Sequence, residues 1–327
     1  MKDLVLHVGL PKAGSTTLQN GWFVPLHEDG LINYIGRAKY RDITGTEFID
    51  VSHYFSDSTL SIDDMHDEIE YASGVTNVIS TENFTYPQAQ REINSNDGKW
   101  AAPTDPYAMP KILSETFSEH FDNITVVIIL RNQIDVIHSA FTHHYRYTYE
   151  QKWDSWDNFL DFILDENRTI FDYGDICSEY VKHFGEENVK PLFFEDFVND
   201  TGVFAENIAG ILGTNIEEFF ESAEINSNYN KKPNQGDSRF ARGAKYARLH
   251  DILRNSNWPI KAKHTMESII GEEQVIKFLD YVYYEKAKEF DNVSPEQRNR
   301  ILDRYNQTNK KLNQKFGLDR TKLKRLN

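Results

Sequence analysis

Close to its amino terminus the chain reads Leu4-Val5-Leu6-His7-Val8-Gly9-Leu10-Pro11-Lys12-Ala13-Gly14-Ser15-Thr16-Thr17-Leu18-Gln19: an apolar stretch, a glycine-bearing turn, then a cluster of hydroxyl residues. That order admits few folds. The apolar stretch is too short to span a membrane and reads as a buried strand, followed by a loop and the first turn of a helix. The loop offers backbone N–H groups, a cation at Lys12 and the hydroxyls of Ser15, Thr16 and Thr17 at a helix N-terminus, where negative charge is favoured. A phosphate is the expected ligand.

The kind of phosphate can be narrowed from the spacing. Gly9 and Gly14 stand five apart, as in the ATP-binding pattern G-x-x-x-x-G-K-[ST], but Ser15 occupies the place of its lysine and the cation sits earlier, at Lys12. A kinase built this way lacks the group that reaches the β- and γ-phosphates. A shorter 5′-phosphate with its leaving group beside Lys12 fits better.

The rest of the chain reads as alternating strands and helices. A helix over residues 16–26, a strand over 31–35 ending at Gly36 and an irregular aromatic excursion over 37–59 come first. A helix over 61–72 follows, capped by Ser61 and striped by Ile62, Met65 and Ile69. The strand expected at 77–81 delivers Glu82 at its carboxyl end, where open α/β sheets gather ligands. Residues 87–106, with three prolines, read as a long loop, and 106–121 as a helix. Ile124 to Leu130 is the most continuous apolar run and predicts a central parallel strand ending at Arg131-Asn132. Beyond it Ile134, Ile137, Phe141 and Tyr145 share one helical face, opposite Asp135, Ser139, His143 and Arg146. Helices are expected over 156–164 and 169–184, an edge or late strand over 189–197 because of Pro191, and a helix over 203–212 ending at Gly213. Residues 226–237 read as a loop and residues after 239 as mostly helical. The last helix is marked by the capping box Ser294-Pro295-Glu296-Gln297 and stopped by Gly317. With 327 residues, 39% hydrophobic, and no linker or repeat, the reading is one α/β domain over 1–327, a central parallel sheet flanked by helices with a helical C-terminal third.

Charge excludes several partners. With 36 basic against 51 acidic residues the net charge is −15, so general attraction to nucleic acid or an anionic membrane is not expected, and local basic sites must hold any anion. Cys177 is the single cysteine, which rules out an intramolecular disulfide and a cysteine-based zinc cluster. No signal-like segment follows Lys2 and Asp3, and no run reaches transmembrane length. A cytoplasmic protein without membrane insertion is expected.

Pro11-Lys12-Ala13-Gly14-Ser15-Thr16-Thr17 fits, position by position, the 5′-phosphosulfate loop P-K-x-G-[ST]-[ST] of sulfotransferases that use 3′-phosphoadenosine-5′-phosphosulfate (PAPS), and the chain resembles that family, closer to its bacterial and carbohydrate type. Leu130 to Phe141 resembles the family's 3′-phosphate motif, with Arg131 at a strand end and Ser139 eight residues later. Chemically, a dianionic ribose phosphate calls for a guanidinium fork and a hydroxyl donor. Gln133 departs from the proline common there. Leu192 to Phe197 also resembles a family strand and acidic turn, whose Glu195 and Asp196 read as structural.

The resemblance implies a P-loop-like three-layer fold and PAPS as donor, bound by Lys12, Ala13, Gly14, Ser15, Thr16, Thr17, Arg131 and Ser139. 3′-Phosphoadenosine 5′-phosphate (PAP) would be the product, no metal would be used, and the acceptor would be a hydroxyl of a saccharide or other small molecule. Lys12 would stabilise the leaving 5′-phosphate, and Glu82, in an S-x-E placement formed by Ser80-Thr81-Glu82, would take the acceptor proton. His53, His143 and His144 are rival bases. The plainer readings are that Arg131 pairs with Asp135, that Ser139 is a surface residue and that Glu82 caps the next helix. Tyr145, Tyr147, Tyr149, Trp153 and Trp156 either stack on sugar faces or pack the core. A P-loop nucleoside or small-molecule kinase and a catalytically inactive nucleotide-binding protein are the competing functions. No metal-binding histidine spacing is present, and Arg131 stands where a kinase would need an acidic Mg²⁺ ligand. The acceptor and the oligomeric state are not legible in the sequence.

Overall fold

Apolar runs separated by helical stretches become the strands of a parallel sheet in the computed structural model of the chain. It describes residues 2–10, 12–36, 51, 62–85, 107–148, 155–165, 169–223, 225, 240–241, 288–289 and 293–317; the side chains of 83, 85, 142–148, 240–241 and 288–289 lie outside that description. The opening strand β1 (Asp3–His7) leads through the glycine-bearing loop into α1 (Ser15–Thr17), which continues through a π-helical turn (Leu18–Phe23) into α2 (Val24–Glu28). Then follow β2 (Ile32–Gly36), α3 (Ile62–Glu68), β3 (Thr76–Ser80) and a 3-10 turn (Glu82–Thr85). Next come α4 (Met109–Phe117), β4 (Asn123–Leu130), α5 (Gln133–Thr148), α6 (Trp156–Asp165) and α7 (Tyr173–Phe184). The chain goes on through β5 (Val189–Phe193), α8 (Phe194–Asn199), α9 (Thr201–Leu212) and α10 (Ile216–Ser222). A short pair, β6 (Phe240–Ala241) and β7 (Lys288–Glu289), precedes α11 (Pro295–Phe316).

Among the described residues this sheet has five strands in the order β2-β3-β1-β4-β5, every pair parallel. Two apolar strands flank β1, so its Leu4, Val5 and Leu6 are buried, as parallel strands covered by helices require. β5 lies at the sheet's edge, where a proline such as Pro191 is tolerated. The expected strand over 189–197 ends at Phe193; Phe194 to Phe197 turn helical instead, which brings Glu195 back to accept from the backbone N–H of Asn132 at 2.8 Å. Residues 169–172, expected to be helical, form a capping turn in which Asp172 Oδ2 accepts from Thr169 N at 2.7 Å.

The chain divides into two compact units, one of Met1–Val136, Asn167–Pro233 and Arg300–Asn327, the other of Ile137–Glu166 and Asn234–Asn299. In the first, Trp22 is fully buried against the rings of Phe197, Phe204 and Phe219 at centroid distances of 5.3, 5.9 and 5.6 Å. Such burial is worth about 2–3 kcal/mol per large side chain, so it fastens the helix that follows the loop. Gln133 is buried in the same unit. It donates to Asn309 Oδ1 at 2.9 Å and accepts from Asn309 Nδ2 at 3.0 Å, tying the start of α5 to α11, a use no sequence pattern indicated. In the second unit Phe141, Trp156 and Phe159 pack together, so Trp156 serves the core there. The capping box of α11 is formed there too: Ser294 N donates to Gln297 Oε1 at 2.8 Å and Gln297 N to Ser294 Oγ at 3.2 Å. Ser61, Tyr149, Trp153 and the loops at 87–106 and 226–237 lie outside the described residues.

Candidate active site

Three strand ends of the first unit lie side by side, those of β3, β1 and β4. His7 of β1 is level with Ser80 of β3 and Val127 of β4, so the loop after His7, the turn at Glu82 and the turn at Arg131 emerge on one side of the sheet. This is where ligands of open α/β sheets bind.

The central loop is held by its backbone. Val8 N donates to Val127 O at 3.1 Å, and Thr17 N and Leu18 N donate to Gly14 O at 3.0 and 3.3 Å. Gly14 is the N-cap of the helix at φ 87°, and no side chain caps it. A Cβ at Gly14 would stand 3.1 Å from Phe194 Cε2, so both the left-handed conformation and the close ring demand glycine. Lys12 is also left-handed, with φ 65°, the one such non-glycine residue among those described. That conformation costs roughly 1–2 kcal/mol and must be held by its surroundings. Arg131 supplies a hold: its Nη1 donates to the Lys12 carbonyl at 2.7 Å across 119 residues of sequence. Left-handed residues in such a turn build the backbone nest that binds anions, and the uncapped helix adds its N–H groups and dipole.

Arg131 is itself fixed. Its guanidinium carbon sits 4.8 Å above the centre of the Phe194 ring, and its carbonyl accepts from the Tyr173 hydroxyl at 2.6 Å. Burial pushes the Tyr173 phenol well above its ordinary pKa, so it stays a neutral donor. Burial likewise raises the Glu195 carboxyl, opposed by the Asn132 N–H bond. Asn132 caps α5, its Oδ1 accepting from Ile134 N at 3.0 Å and Asp135 N at 3.3 Å. Arg131 therefore turns towards the loop, where the sequence also allowed a pairing with Asp135.

Beneath the loop lies a polar floor that sequence reading missed. His7 is 1% exposed, with Nδ1 2.7 Å from Ser80 Oγ. Gln19 Nε2 donates to Ser80 Oγ at 3.0 Å and to Ser80 O at 3.2 Å. Burial lowers the His7 pKa to about 4, so the ring is neutral. The available signal was a histidine closing an otherwise apolar strand directly before the loop.

The remaining predicted residues fall as follows. Ala13, Ser15 and Thr17 are buried, and Lys12, Thr16 and Glu82 are partly exposed, Glu82 opening the 3-10 turn after β3. Ser139 is partly exposed on α5 within the second unit. Pro11 and His53 lie outside the described residues, as do the side chains of His143, His144, Tyr145, Arg146 and Tyr147. Among the described residues no group of three or more His, Cys, Asp or Glu is placed to hold a metal ion, and no helix is long and apolar enough to cross a membrane.

The model of the sulfotransferase domain family matches residues 2–297 of the chain. No curated protein matches it in sequence. Among solved structures the chain is similar to a sulfotransferase from Alicyclobacillus acidocaldarius, at 15% identity and TM-score 0.41 over 83% of this chain and 96% of that one. It is similar to mouse sulfotransferase SULT7A1 complexed with PAP, at 14% identity and TM-score 0.37 over 91% and 87%. A third is retinol dehydratase in a complex with retinol and PAP, at 14% identity and TM-score 0.41 over 96% and 82%.

Proposed function

The chain belongs to the sulfotransferase domain family, and from that premise we propose that it transfers a sulfuryl group from PAPS to a hydroxyl of a saccharide or other small-molecule acceptor, releasing PAP. The observation that carries the donor assignment is the 2.7 Å bond from Arg131 to the Lys12 carbonyl. The strand-end arginine read as a 3′-phosphate ligand and the lysine read as a 5′-phosphosulfate ligand are thereby neighbours, as one nucleotide carrying both phosphates requires. A guanidinium has five N–H donors, and one committed to a carbonyl leaves others for a phosphate. The buried Ser15 hydroxyl, which has no hydrogen-bond partner among the described residues, fits an anion on the loop.

In this reading Lys12, Ala13, Gly14, Ser15, Thr16 and Thr17 bind the 5′-phosphosulfate, and Arg131 with Ser139 binds the 3′-phosphate. The acceptor oxygen attacks sulfur as the bond to the bridging oxygen breaks; the acceptor proton passes to the Glu82 carboxylate, and Lys12 offsets the charge that develops on the departing phosphate. The chain's own cations and amides do this work, so we propose that no metal is needed and that chelation leaves turnover intact. We also read residues 1–327 as one domain, since the family match runs through both compact units and the chain passes repeatedly between them. We also propose a cytoplasmic location.

PAP is expected to raise the melting temperature far more than ATP or AMP at equal concentration, because a ligand selective for the native state stabilises it by RT ln(1 + [L]/Kd). Equal shifts with PAP and ATP, or turnover that EDTA abolishes and Mg²⁺ restores, would return the kinase reading to first place.

A further inference from the structure

The floor of the loop contains two buried polar atoms without a hydrogen-bond partner among the described residues, His7 Nε2 and Ser15 Oγ. Both residues are 1% exposed. They face the same side of Gly9: a Cβ there would stand 2.8 Å from Ser15 Oγ, 3.4 Å from His7 Cε1 and 3.5 Å from His7 Nε2. A side chain at position 9 would crowd both the hydroxyl and the ring, and glycine leaves that space open. Buried polar groups left open in pairs are uncommon, and they persist where a further event completes them.

The proton on His7 follows from its other neighbour. Ser80 Oγ accepts from Gln19 Nε2 and lies 2.7 Å from His7 Nδ1. The Ser80 hydroxyl has one hydrogen, and directing it to Nδ1 satisfies both groups; the ring then carries its proton on Nε2, aimed at the loop. A serine hydroxyl that accepts from such a donor has its own hydrogen left to point outwards. An anion on the loop requires that orientation.

We propose that His7 is a positioning residue of the loop: fixed as the Nε2–H tautomer by Ser80 and Gln19, it donates to Ser15 Oγ when an anion occupies the loop and so directs the Ser15 hydroxyl at that anion. This rests on the reading of the loop as the donor site. Burial, which lowers the His7 pKa to about 4, keeps the donor neutral through the working pH range. His7 thus adds direction without adding charge.

Nitrogen-15 NMR of the ligand-free protein is expected to show the His7 ring as neutral Nε2–H throughout about pH 5.5–8, below which an ordinary histidine would be largely protonated. A proton on Nδ1, or titration within that range, overturns the proposal. The second test is a double-mutant cycle on PAP affinity. His7→Asn keeps a group near Ser80 but none at the loop, and should weaken PAP by about three- to tenfold; His7→Gln, whose amide reaches the Nε2 position, should restore binding to within about twofold. Because His7 acts through Ser15, His7→Asn should add nothing in a Ser15→Ala background. An undiminished effect there, or a His7→Gln as weak as His7→Asn, refutes the coupling. If His7→Asn does not fold, Ser80→Ala takes its place in the cycle, with the same cancellation expected. If wild type ignores PAP but binds inorganic pyrophosphate, only the donor reading fails and the cycle is scored with pyrophosphate. Binding of neither ends both readings.

Discussion

The turns that follow β1 and β4 are both strand-to-helix connections on neighbouring strands, yet they close in opposite ways. After β4, Asn132 folds its side chain onto the backbone N–H groups of Ile134 and Asp135, and its own N–H goes to Glu195. After β1, the helix begins at a left-handed glycine with no side-chain cap. A capped N-terminus has its donors occupied; an uncapped one presents them, with the helix dipole behind them. The β1 turn can therefore bind an anion with backbone, and the β4 turn must do so with side chains, Arg131 and Ser139 in our reading. Tyr173, Phe194 and Glu195 brace the β4 turn, and the arginine so braced reaches across to brace the other.

In our reading the acceptor proton goes to the third strand end, where Glu82 opens the turn after β3. Glu82→Gln keeps the shape of the side chain and removes the acceptor. On the proposed mechanism kcat falls by about 10²–10⁴-fold with PAP affinity nearly unchanged, the usual worth of general-base catalysis. Steady-state rates with labelled PAPS and calorimetry with PAP separate the two effects. Normal turnover in Glu82→Gln would move the base to a histidine, His53, His143 or His144, and leave the contrast between the phosphate turns standing.

Arg131→Ala probes the link between the two turns. It removes the bond that holds the Lys12 carbonyl and, in our reading, a charge-assisted contact to the 3′-phosphate. PAP binding should weaken by roughly 1.5–3 kcal/mol, about ten- to 150-fold, and appear in KM. Preference for PAP over AMP should shrink with it. A variant that binds PAP as tightly as wild type and discriminates as before would show that the β4 turn does not read the 3′-phosphate.

How much of this could be read from the sequence depended on whether the cause was local. Val5, Leu6 and the run Val126 to Leu130 announce buried parallel strands because burial on both faces leaves no alternation, and the structure has them. Gly14, Gly213 and Gly317 mark turns because left-handed backbone favours glycine, and all three have positive φ. The α11 capping box is local as well. The bond from Arg131 to Lys12, the Gln133–Asn309 pair and the His7–Ser80 contact join residues 119, 176 and 73 apart, and nothing in their local patterns specifies the partner. The helical turn at Phe194 was missed for the same reason, since an aromatic run after a strand reads as more strand until Glu195 finds Asn132. At the site, residue types in the loop were informative, whereas the packing that orients them was not.

The smallest effects provide the sharpest contrast between the turns. Asn132→Ala removes an N-cap, so the protein should lose about 1 kcal/mol of stability, seen as a fall of a few degrees in melting temperature. Its PAP affinity should change by less than about twofold, because the N–H groups it frees were never among the proposed ligand's donors. Ser15→Ala should behave in the reverse manner. The Ser15 hydroxyl is buried and has no partner among the described residues, so its removal relieves an unmet hydrogen bond and leaves stability equal or slightly higher. The same change takes one donor from the loop and should weaken PAP by about three- to tenfold. Melting curves with and without PAP measure all four quantities in one experiment. If Asn132→Ala lost PAP affinity as Ser15→Ala does, the two turns would share one binding role and the contrast between a capped and an open helix would not govern this site.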